Sequence, residues 1–242
     1  MEEGILNIAV IFAGGTGQRM NSGSVPKQFL LVHSKPILIH TILKFENCNE
    51  IDKIIVVSLA NYIDYVYDLL ERFKIKKVAK VVAGGSCGQE SIFNGLKVAK
   101  DISISEEDIV LIHDGVRPLI DIDTIERNIE CVKKNGNAIT VTKAIETIVM
   151  LDENNSVEEV MDRKRCDLAR APQSFFLKDI YNAHLCAINE NKMDFIDSAM
   201  MMKHYGYKIY TVNGPIENIK VTTMMDYYVL NALLEQSGDK NE

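Results

Sequence analysis

The chain has 242 residues, 47% of them hydrophobic and 25% charged, which is ordinary for a soluble globular protein and excludes a largely disordered chain. Its 27 Lys and Arg residues and 34 Asp and Glu residues give a formal net charge of −7, so we do not expect general binding to nucleic acid. Such a chain can still bind phosphate groups at a local basic site.

The cysteines and the apolar runs also limit the possible classes of protein. The five cysteines are scattered and form no CxxC pair, which argues against a disulfide framework and against a zinc site. No apolar run reaches the roughly 18 residues that a membrane span needs. The acidic start MEEGILN is unlike a signal peptide, so we expect a reduced, cytoplasmic protein that does not associate with membranes.

Strand-like and helix-like segments alternate over the first 140 residues. Short apolar runs rich in Val and Ile, typical of parallel strands covered on both faces, occupy residues 7–12, 54–59, 77–82 and 108–113. Helical spacing of apolar residues occurs at 36–45, 62–73, 89–100 and 124–135. Asn61 is a suitable N-cap for the second helix. The alternation predicts a single α/β domain over 1–242, with a Rossmann-like, mostly parallel twisted sheet flanked by helices.

The pattern changes after a further strand-like run at 138–142. Residues 143–176 hold no long helical stretch and carry the polar turn signal DENN at 152–155, which predicts a β-arm that leaves the main sheet. Helices return at 177–190 and 197–204, followed by a strand at 208–212 and a last helix from about 224 to 235. We expect the tail, 237–242, to be frayed.

A glycine-rich loop follows the first predicted strand, where residues 12–20 read FAGGTGQRM. Its three glycines lack Cβ atoms and let backbone N–H groups approach an anion closely; they are Gly14, Gly15 and Gly17. No GK[ST] follows, so the loop is not a Walker A motif. Met20 occupies the position of the third glycine of the dinucleotide fingerprint, which counts against an oxidoreductase.

Two cations follow these glycines. Arg19 offers a planar fork and Lys27 a point charge, and both suit a triphosphate. The alternative interpretation is a glycine-rich turn with unrelated surface cations.

The segment AGGTGQRM, followed by PKQF at 26–29, resembles the signature of CTP-dependent cytidylyltransferases that act on small polyol phosphates. Further blocks match in order: GGSCGQESIFNGL at 84–96, HDGVRP at 113–118, ETI at 146–148, DR at 162–163, APQSF at 171–175 and NIKVT at 218–222. One branch of this family acts on 2-C-methyl-D-erythritol 4-phosphate in isoprenoid synthesis. The other acts on ribitol 5-phosphate in teichoic-acid and capsule synthesis.

The resemblance implies roles for individual residues. The catalytic cations would be Arg19, Lys27 and Lys220. The CTP-binding residues would be Ala13, Gly14, Gly15, Gly17, Gly84, Gly85, Ser91, Asp114 and Gly115. Gly88 departs from the family, because many members have arginine there, and this puts a phosphate contact from its loop in doubt. For Ser91 a helix-start role without ligand contact remains open, and for Lys220 a place on a solvated strand edge.

Asp114 follows the fourth predicted strand, at the sheet edge where ligands of open α/β sheets bind. A carboxylate there can hold Mg²⁺ together with substrate phosphates, or it can cap a turn. Its neighbour His113 is expected to pack at the strand end rather than take part in chemistry. Arg117 would stiffen this loop or reach the nucleotide.

The family also implies an acceptor site and a partner. Thr147 and Arg163, in the predicted arm, match the family's contacts to the acceptor phosphate. Arg117 is also assigned to the acceptor site, and Glu217 would hydrogen-bond an acceptor hydroxyl or assist the metal. Arms of two subunits interlock in the family, which implies a homodimer in which Arg163 serves its own or the neighbouring site.

The implied reaction is attack by the acceptor's phosphate oxygen on the α-phosphate of CTP, with loss of pyrophosphate. Thr147-Ile148-Val149 and the spacing before Pro26 favour ribitol 5-phosphate, whereas Asp162-Arg163 is closer to the methylerythritol branch. We therefore predict ribitol 5-phosphate as the acceptor, with the methylerythritol enzyme as the alternative. A non-catalytic nucleotide-binding protein is a further alternative, although the combination of Arg19, Lys27, Asp114 and Lys220 argues against it.

Overall fold

A computed structural model describes residues 4–15 and 25–236. Its strands are β1 (Asn7–Ala13), β2 (Leu31–Val32), β3 (Lys35–Pro36), β4 (Lys53–Ser58), β5 (Val78–Ala83), β6 (Ile109–Asp114), β7 (Asn137–Lys143), β8 (Val149–Leu151), β9 (Val157–Val160), β10 (Asp167–Phe176) and β11 (Thr211–Asn213). Its α-helices are α1 (Ile37–Glu46), α2 (Ile63–Arg72), α3 (Gly88–Ile102), α4 (Ile122–Asn135), α5 (Leu177–Asn189), α6 (Ser198–His204) and α7 (Met224–Gln236). The predicted frayed tail, 237–242, lies outside the described residues.

Seven strands form one sheet in the order β11-β7-β10-β6-β1-β4-β5. The β6-β1-β4-β5 part is entirely parallel, β11 runs parallel to β7, and β10 is antiparallel to both of its neighbours. The mostly parallel sheet predicted from the Val-rich and Ile-rich runs is thus confirmed. Parallel strands are covered on both faces, which is why these runs lack the alternation of a half-exposed strand.

Helices cover both faces of the sheet. Alternate residues of β1 point to opposite sides: Ile8 and Val10 pack with α3, α5 and α6, whereas Ala9 and Ile11 pack with α1, α2 and α4. A smaller cluster joins α7 to the start of α1 and includes Val221. None of the described helices is both long and apolar enough to cross a membrane.

The start of α2 differs from the prediction. Asn61 lies inside a single 3₁₀ turn, Ala60–Tyr62, and Tyr62 takes the N-cap position without a side-chain hydrogen bond. The expected N-cap at Asn61 is therefore wrong. The extra turn moves the first α-helical residue to Ile63.

The segment that leaves the sheet is shorter than the predicted arm at 143–176. The strand β10 pairs with β7 and β6 inside the main sheet, so the excursion covers residues 144–166. Within it, β8 and β9 form a separate antiparallel pair. Asp152 Oδ1 accepts hydrogen bonds from the backbone N–H groups of Asn154 and Ser156. These bonds close the polar turn predicted between the two strands.

The predicted strand at 208–212 is displaced toward its C-terminal end. In this part of the chain only residues 211–213 pair with β7, because the Asn137 side chain forms hydrogen bonds with the backbone groups just before them. Its Nδ2 donates to Lys208 O at 2.8 Å and its Oδ1 accepts from Tyr210 N at 2.9 Å.

Candidate active site

The sheet register brings the C-terminal ends of four parallel strands together. Phe12 of β1 lies opposite Asp114 of β6, and Ala13 lies opposite Ser58 of β4. Ser58 in turn lies opposite Ala83 of β5. The loops that leave these strands therefore meet at one edge of the sheet, which is where ligands of open α/β sheets bind.

Glycines let the loops after β1 and β5 touch. A Cβ on Gly14 would lie 3.7 Å from Gly84 Cα and 3.3 Å from Ser91 Oγ. A Cβ on Gly84 would lie 3.0 Å from the same hydroxyl. Gly15, in contrast, has open space on its Cβ side. We call Gly14, Gly15, Gly84 and Gly85 the glycine wall.

Ser91 and Glu90 shape the loop that follows β5. The Ser91 hydroxyl accepts from Gly85 N at 3.0 Å and donates to Cys87 O at 2.8 Å, so this group is already engaged by its own loop. Glu90 Oε2 accepts from Ser86 N and Ser86 Oγ, both at 2.6 Å. These bonds lower the pKa of the Glu90 carboxyl. No pattern in the sequence predicted this role of Glu90.

Gly115 holds the loop after β6 against β1. Its N–H donates to Phe12 O at 2.9 Å, and a Cβ there would lie 2.9 Å from Ala13 Cβ and 3.0 Å from Leu38 Cδ1. A larger residue would push this loop away from the strand end.

Asp114 is the centre of a charged cluster. Its Oδ1 lies 2.6 Å from Lys220 Nζ and its Oδ2 lies 2.8 Å from Arg117 Nε. Burial raises the pKa of this carboxyl, but the charges and hydrogen bonds of Lys220 and Arg117 outweigh burial and hold the pKa below its ordinary value. Asp114 is therefore ionised at neutral pH.

Arg117 joins Asp114 to the segment that carries Lys220. Its Nη1 donates to Asn218 O at 2.9 Å, and Val221 N donates to Val116 O at 3.0 Å. The buried Asn218 side chain donates to Ala171 O at 2.7 Å. These bonds fix the position of Lys220, and the part played by Asn218 could not be read from the sequence.

His113, just before Asp114, is buried and packs against Phe45 with ring centroids 5.0 Å apart. Its Nε2 lies 3.1 Å from Arg117 O. Burial lowers the pKa of this imidazole to about 4, so it is neutral at pH 7.

Lys27 opens the 3₁₀ turn Lys27–Phe29 and is half-buried. The next residue, Gln28, is buried and donates from Nε2 to Ala13 O at 2.7 Å. Gln28 therefore fixes the Lys27 segment beside the end of β1. Gln28 belongs to the PKQF block, but its hydrogen bond to Ala13 was not predicted from the sequence.

Several predicted site residues lie away from Asp114 or outside the described residues. Gly17 and Arg19 are outside the described residues. Thr147 and Arg163 are exposed in the excursion at 144–166, where Arg163 Nη1 donates to Ile145 O at 2.7 Å. Glu217 is exposed next to Asn218.

A cavity of about 340 Å³ opens beside Asp114. Arg117, Lys220, Arg170 and Gln173 are among its lining residues, whereas Thr147, Arg163 and Glu217 are not. Within one chain the structure thus brings together Asp114, Arg117 and Lys220 but not the predicted acceptor residues of the arm.

Asp114 is the carboxylate of the charged cluster, and Asp194 and Asp197 also line the cavity. Across 4–15 and 25–236 no group of three or more His, Cys, Asp or Glu side chains could hold an ion. A single carboxylate such as that of Asp114 is a ligand that Mg²⁺ commonly takes together with phosphate oxygens and water.

Comparisons with known proteins agree with this picture. Residues 7–236 match the family model of IspD, 2-C-methyl-D-erythritol 4-phosphate cytidylyltransferase. A ribitol-5-phosphate cytidylyltransferase from Streptococcus agalactiae serotype V is 48% identical over 231 residues, which cover 96% of each chain. A Vibrio parahaemolyticus protein of the same name is 46% identical and covers 95% of this chain and 96% of its own. A 2-C-methyl-D-erythritol 4-phosphate cytidylyltransferase from Clostridium acetobutylicum is 36% identical, with coverage of 96% and 99%.

Solved structures share the fold over nearly the whole chain. The crystal structure of 4-diphosphocytidyl-2C-methyl-D-erythritol synthase from Anaerococcus prevotii superimposes with a TM-score of 0.83 at 28% identity, covering 96% of both chains. The 2-C-methyl-D-erythritol 4-phosphate cytidylyltransferase of Francisella tularensis gives a TM-score of 0.76 at 27% identity, with coverage of 94% and 99%. The family model matches residues 7–236, and relatives named for either acceptor align with nearly the whole chain. This chain therefore belongs to the IspD family of cytidylyltransferases.

Proposed function

We propose that this enzyme couples CTP to D-ribitol 5-phosphate and forms CDP-ribitol and pyrophosphate. The observation that carries the site is Lys220 Nζ, held 2.6 Å from Asp114 at the sheet edge next to the glycine wall. The acceptor rests on the relatives: the two named for ribitol 5-phosphate are 46% and 48% identical, against 36% for the one named for methylerythritol phosphate.

CTP would bind along the glycine wall. Ala13 and Gly115, with Gly14, Gly15, Gly17, Gly84 and Gly85, would present backbone groups to the nucleotide, because small residues let the main chain approach it closely. Ser91 would position Gly85, because its hydroxyl accepts a hydrogen bond from Gly85 N at 3.0 Å.

The transfer needs positioned charge more than a base. An oxygen of the acceptor phosphate attacks the α-phosphorus of CTP, the bond from that phosphorus to the bridging oxygen breaks, and pyrophosphate leaves. The attacking oxygen is already anionic, so no proton has to be removed. Arg19, Lys27 and Lys220 would reduce repulsion between the anions and stabilise charge on the leaving group. The ion pair with Asp114 orients Lys220 for this role.

Magnesium is the proposed cofactor, with Asp114 as its protein ligand. When bound, the ion would supply charge neutralisation on the triphosphate. Asp114 would then exchange part of its contact with Lys220 for the ion.

The acceptor site would use Arg117 and Glu217 together with Thr147 and Arg163 of the arm. The hairpin of β8 and β9 is exposed along its full length, including apolar side chains such as Leu151 and Val157. A second copy of the chain would cover them and form the proposed homodimer, with Arg163 serving either subunit's site. We also propose that the enzyme works in the cytoplasm on its phosphorylated substrates.

Turnover with each acceptor tests the proposal. Purified enzyme, CTP and Mg²⁺ are mixed with ribitol 5-phosphate or with methylerythritol 4-phosphate, and pyrophosphate release and the CDP product are measured. We expect kcat/KM to be higher with ribitol 5-phosphate. A higher value with methylerythritol 4-phosphate would reassign the acceptor, and CTP binding without turnover on either would indicate a non-catalytic nucleotide-binding protein.

A further inference from the structure

Arg170 is a cation in the cavity to which the proposed mechanism gives no role. It lies on β10 where pairing with β7 is interrupted: Ala169 is opposite Val141, and the ladder resumes with Gln173 opposite Ile139. Four steps along β10 thus correspond to two along β7. Such bulges commonly redirect a side chain at the border of an active site, and Arg170 lines the cavity beside Asp114.

Arg170 differs from the other cations of this cavity in its partners. Arg117 and Lys220 both pair with Asp114. Arg170 donates from Nε to Thr142 Oγ1 at 3.3 Å, and no carboxylate in the described part of the chain forms an ion pair with it. Asp197, another lining residue, is occupied by Gln173 Nε2 and by the N–H of Met200.

The local field around Arg170 favours an anion. Burial lowers the pKa of its guanidinium, and the nearby charge of Arg117 lowers it further. A guanidinium nevertheless stays protonated in proteins. The cavity is lined by three cations, Arg117, Lys220 and Arg170, and by three carboxylates, Asp114, Asp194 and Asp197. Arg117 and Lys220 are ion-paired with Asp114, whereas Arg170 has no ion pair with a described carboxylate. An anionic ligand would give Arg170 a charged partner, and its Nη atoms form a fork of donors from which a phosphate accepts hydrogen bonds.

The order of the strands indicates which phosphate this is. The glycine wall follows β1 and β5, on one side of β6, whereas β10 lies on the other side. Asp114, at the end of β6, lies between them. We propose that Arg170 binds the phosphate of the acceptor directly and helps to set specificity for a phosphorylated polyol. This inference rests on the proposed function, because it takes the nucleotide to bind along the glycine wall.

The test compares Arg170→Gln and Arg170→Lys with the wild type and with Arg72→Gln. Arg72 is an exposed arginine at the end of α2 and serves as the matched control. We expect Arg170→Gln to raise KM for ribitol 5-phosphate about 10- to 100-fold, because a charge-assisted hydrogen bond is lost, while KM for CTP changes less than about twofold. For Arg170→Lys we expect a KM for ribitol 5-phosphate between those of the wild type and Arg170→Gln. The control Arg72→Gln should have the wild-type KM. An unchanged acceptor KM in Arg170→Gln, or equal changes for both substrates, would overturn the proposal.

Binding of inorganic phosphate separates this inference from the choice of acceptor. With CTP saturating and no acceptor present, calorimetry measures phosphate binding to each protein. Weaker binding to Arg170→Gln than to Arg72→Gln supports the role of Arg170 even if ribitol 5-phosphate is not the substrate. Equal binding to both variants, or none to the wild type, contradicts it.

Discussion

At Asp114 a single carboxylate holds two cations of unequal exposure: the Arg117 side chain is 9% exposed and the Lys220 side chain 42%. Lys220 can therefore leave the ion pair to contact a ligand, whereas the buried Arg117 stays fixed beside Asp114. The Asp114 carboxylate thus holds the loop after β6 through Arg117, and it also holds the proposed catalytic group, Lys220.

Asp114→Asn should destabilise the fold, because it leaves the buried Arg117 charge without a counterion. We expect the free energy of unfolding in urea to fall by about 3 kcal/mol, near the lower end for breaking a buried pair. Asp123→Asn is the control: the Asp123 side chain is 76% exposed and that of its partner Arg127 39%, so the loss there should be below about 1 kcal/mol. Equal losses in the two variants would refute the buried pair as a source of stability.

Lys220→Ala should lower kcat by about 10²–10³, by analogy with loss of one oxyanion donor, and KM for CTP should change much less. Lys27→Ala should behave in the same way. The exposed Lys133 of α4 provides the control, since Lys133→Ala should be as active as the wild type. Steady-state kinetics distinguishes these outcomes, and near-normal kcat in both site variants would rule out the catalytic assignments.

At the scale of single elements, the loop between β5 and α3 offers a matched pair of glycines. A Cβ on Gly85 would lie 2.6 Å from Glu90 Cβ, whereas Gly88 has no atom within 4 Å of that position. Gly85→Ala should therefore displace the loop and raise KM for CTP roughly tenfold, about 1.4 kcal/mol of binding free energy.

Gly88→Ala should instead stabilise α3 by up to about 1 kcal/mol, because alanine is the better helix former. Its KM for CTP should stay normal. Kinetics and urea unfolding of the two variants give the comparison. The same KM in both would mean that the loop does not contact the nucleotide.

The hairpin of β8 and β9 has no covering element among the described parts of this chain, and its Leu151 side chain is 52% exposed. If a second copy covers it, Leu151→Asp should convert a dimer to a monomer, because burying a charge at the interface is unfavourable. Analytical ultracentrifugation measures this change. Ile104→Asp, at another exposed apolar residue, is the control and should leave the dimer intact. A monomeric wild type would contradict the proposed homodimer.

Elements with a strong local signal were predictable from the sequence, and elements defined by distant partners were not. The buried runs of β1, β4, β5 and β6 have a clear pattern because both of their faces are covered. β10 has no such pattern, and its place in the sheet depends on pairing with β6 and β7. The displaced start of β11 likewise depends on the Asn137 side chain.

The same distinction holds for the site. Gly14, Asp114 and Lys220 belong to recognisable blocks and meet at the sheet edge. Gln28 and Asn218 act through hydrogen bonds to the backbone of distant residues, Ala13 and Ala171. No local pattern reports such a partner.

At the scale of the whole molecule, two buried histidines make stability depend on pH. Burial lowers the pKa of His113 and of His184 from 6.5 to about 4. The unfolded chain binds protons at both groups below about pH 6.5, whereas the folded chain does not until about pH 4. Acidification within this window therefore favours unfolding, and stability rises again as pH rises through it.

Between pH 7.5 and pH 5 we expect each histidine to remove about 2 kcal/mol from the free energy of unfolding. Both ring nitrogens of His184 lack hydrogen-bond partners in the described structure, so His184→Leu removes no such bond. The variant should lose about half as much stability as the wild type over this range. Urea unfolding at the two pH values measures the difference, and identical losses in both proteins would contradict the assignment.

A crystal structure of the protein with CTP and Mg²⁺ would show whether nucleotidyl transfer takes place at the edge formed by the glycine wall, Lys27, Asp114 and Lys220. We expect the base to lie against Gly84 and Gly85, and the triphosphate to lie within reach of Lys27 and Lys220. CTP bound at any other surface, with Asp114 and Lys220 distant from its phosphates, would contradict it.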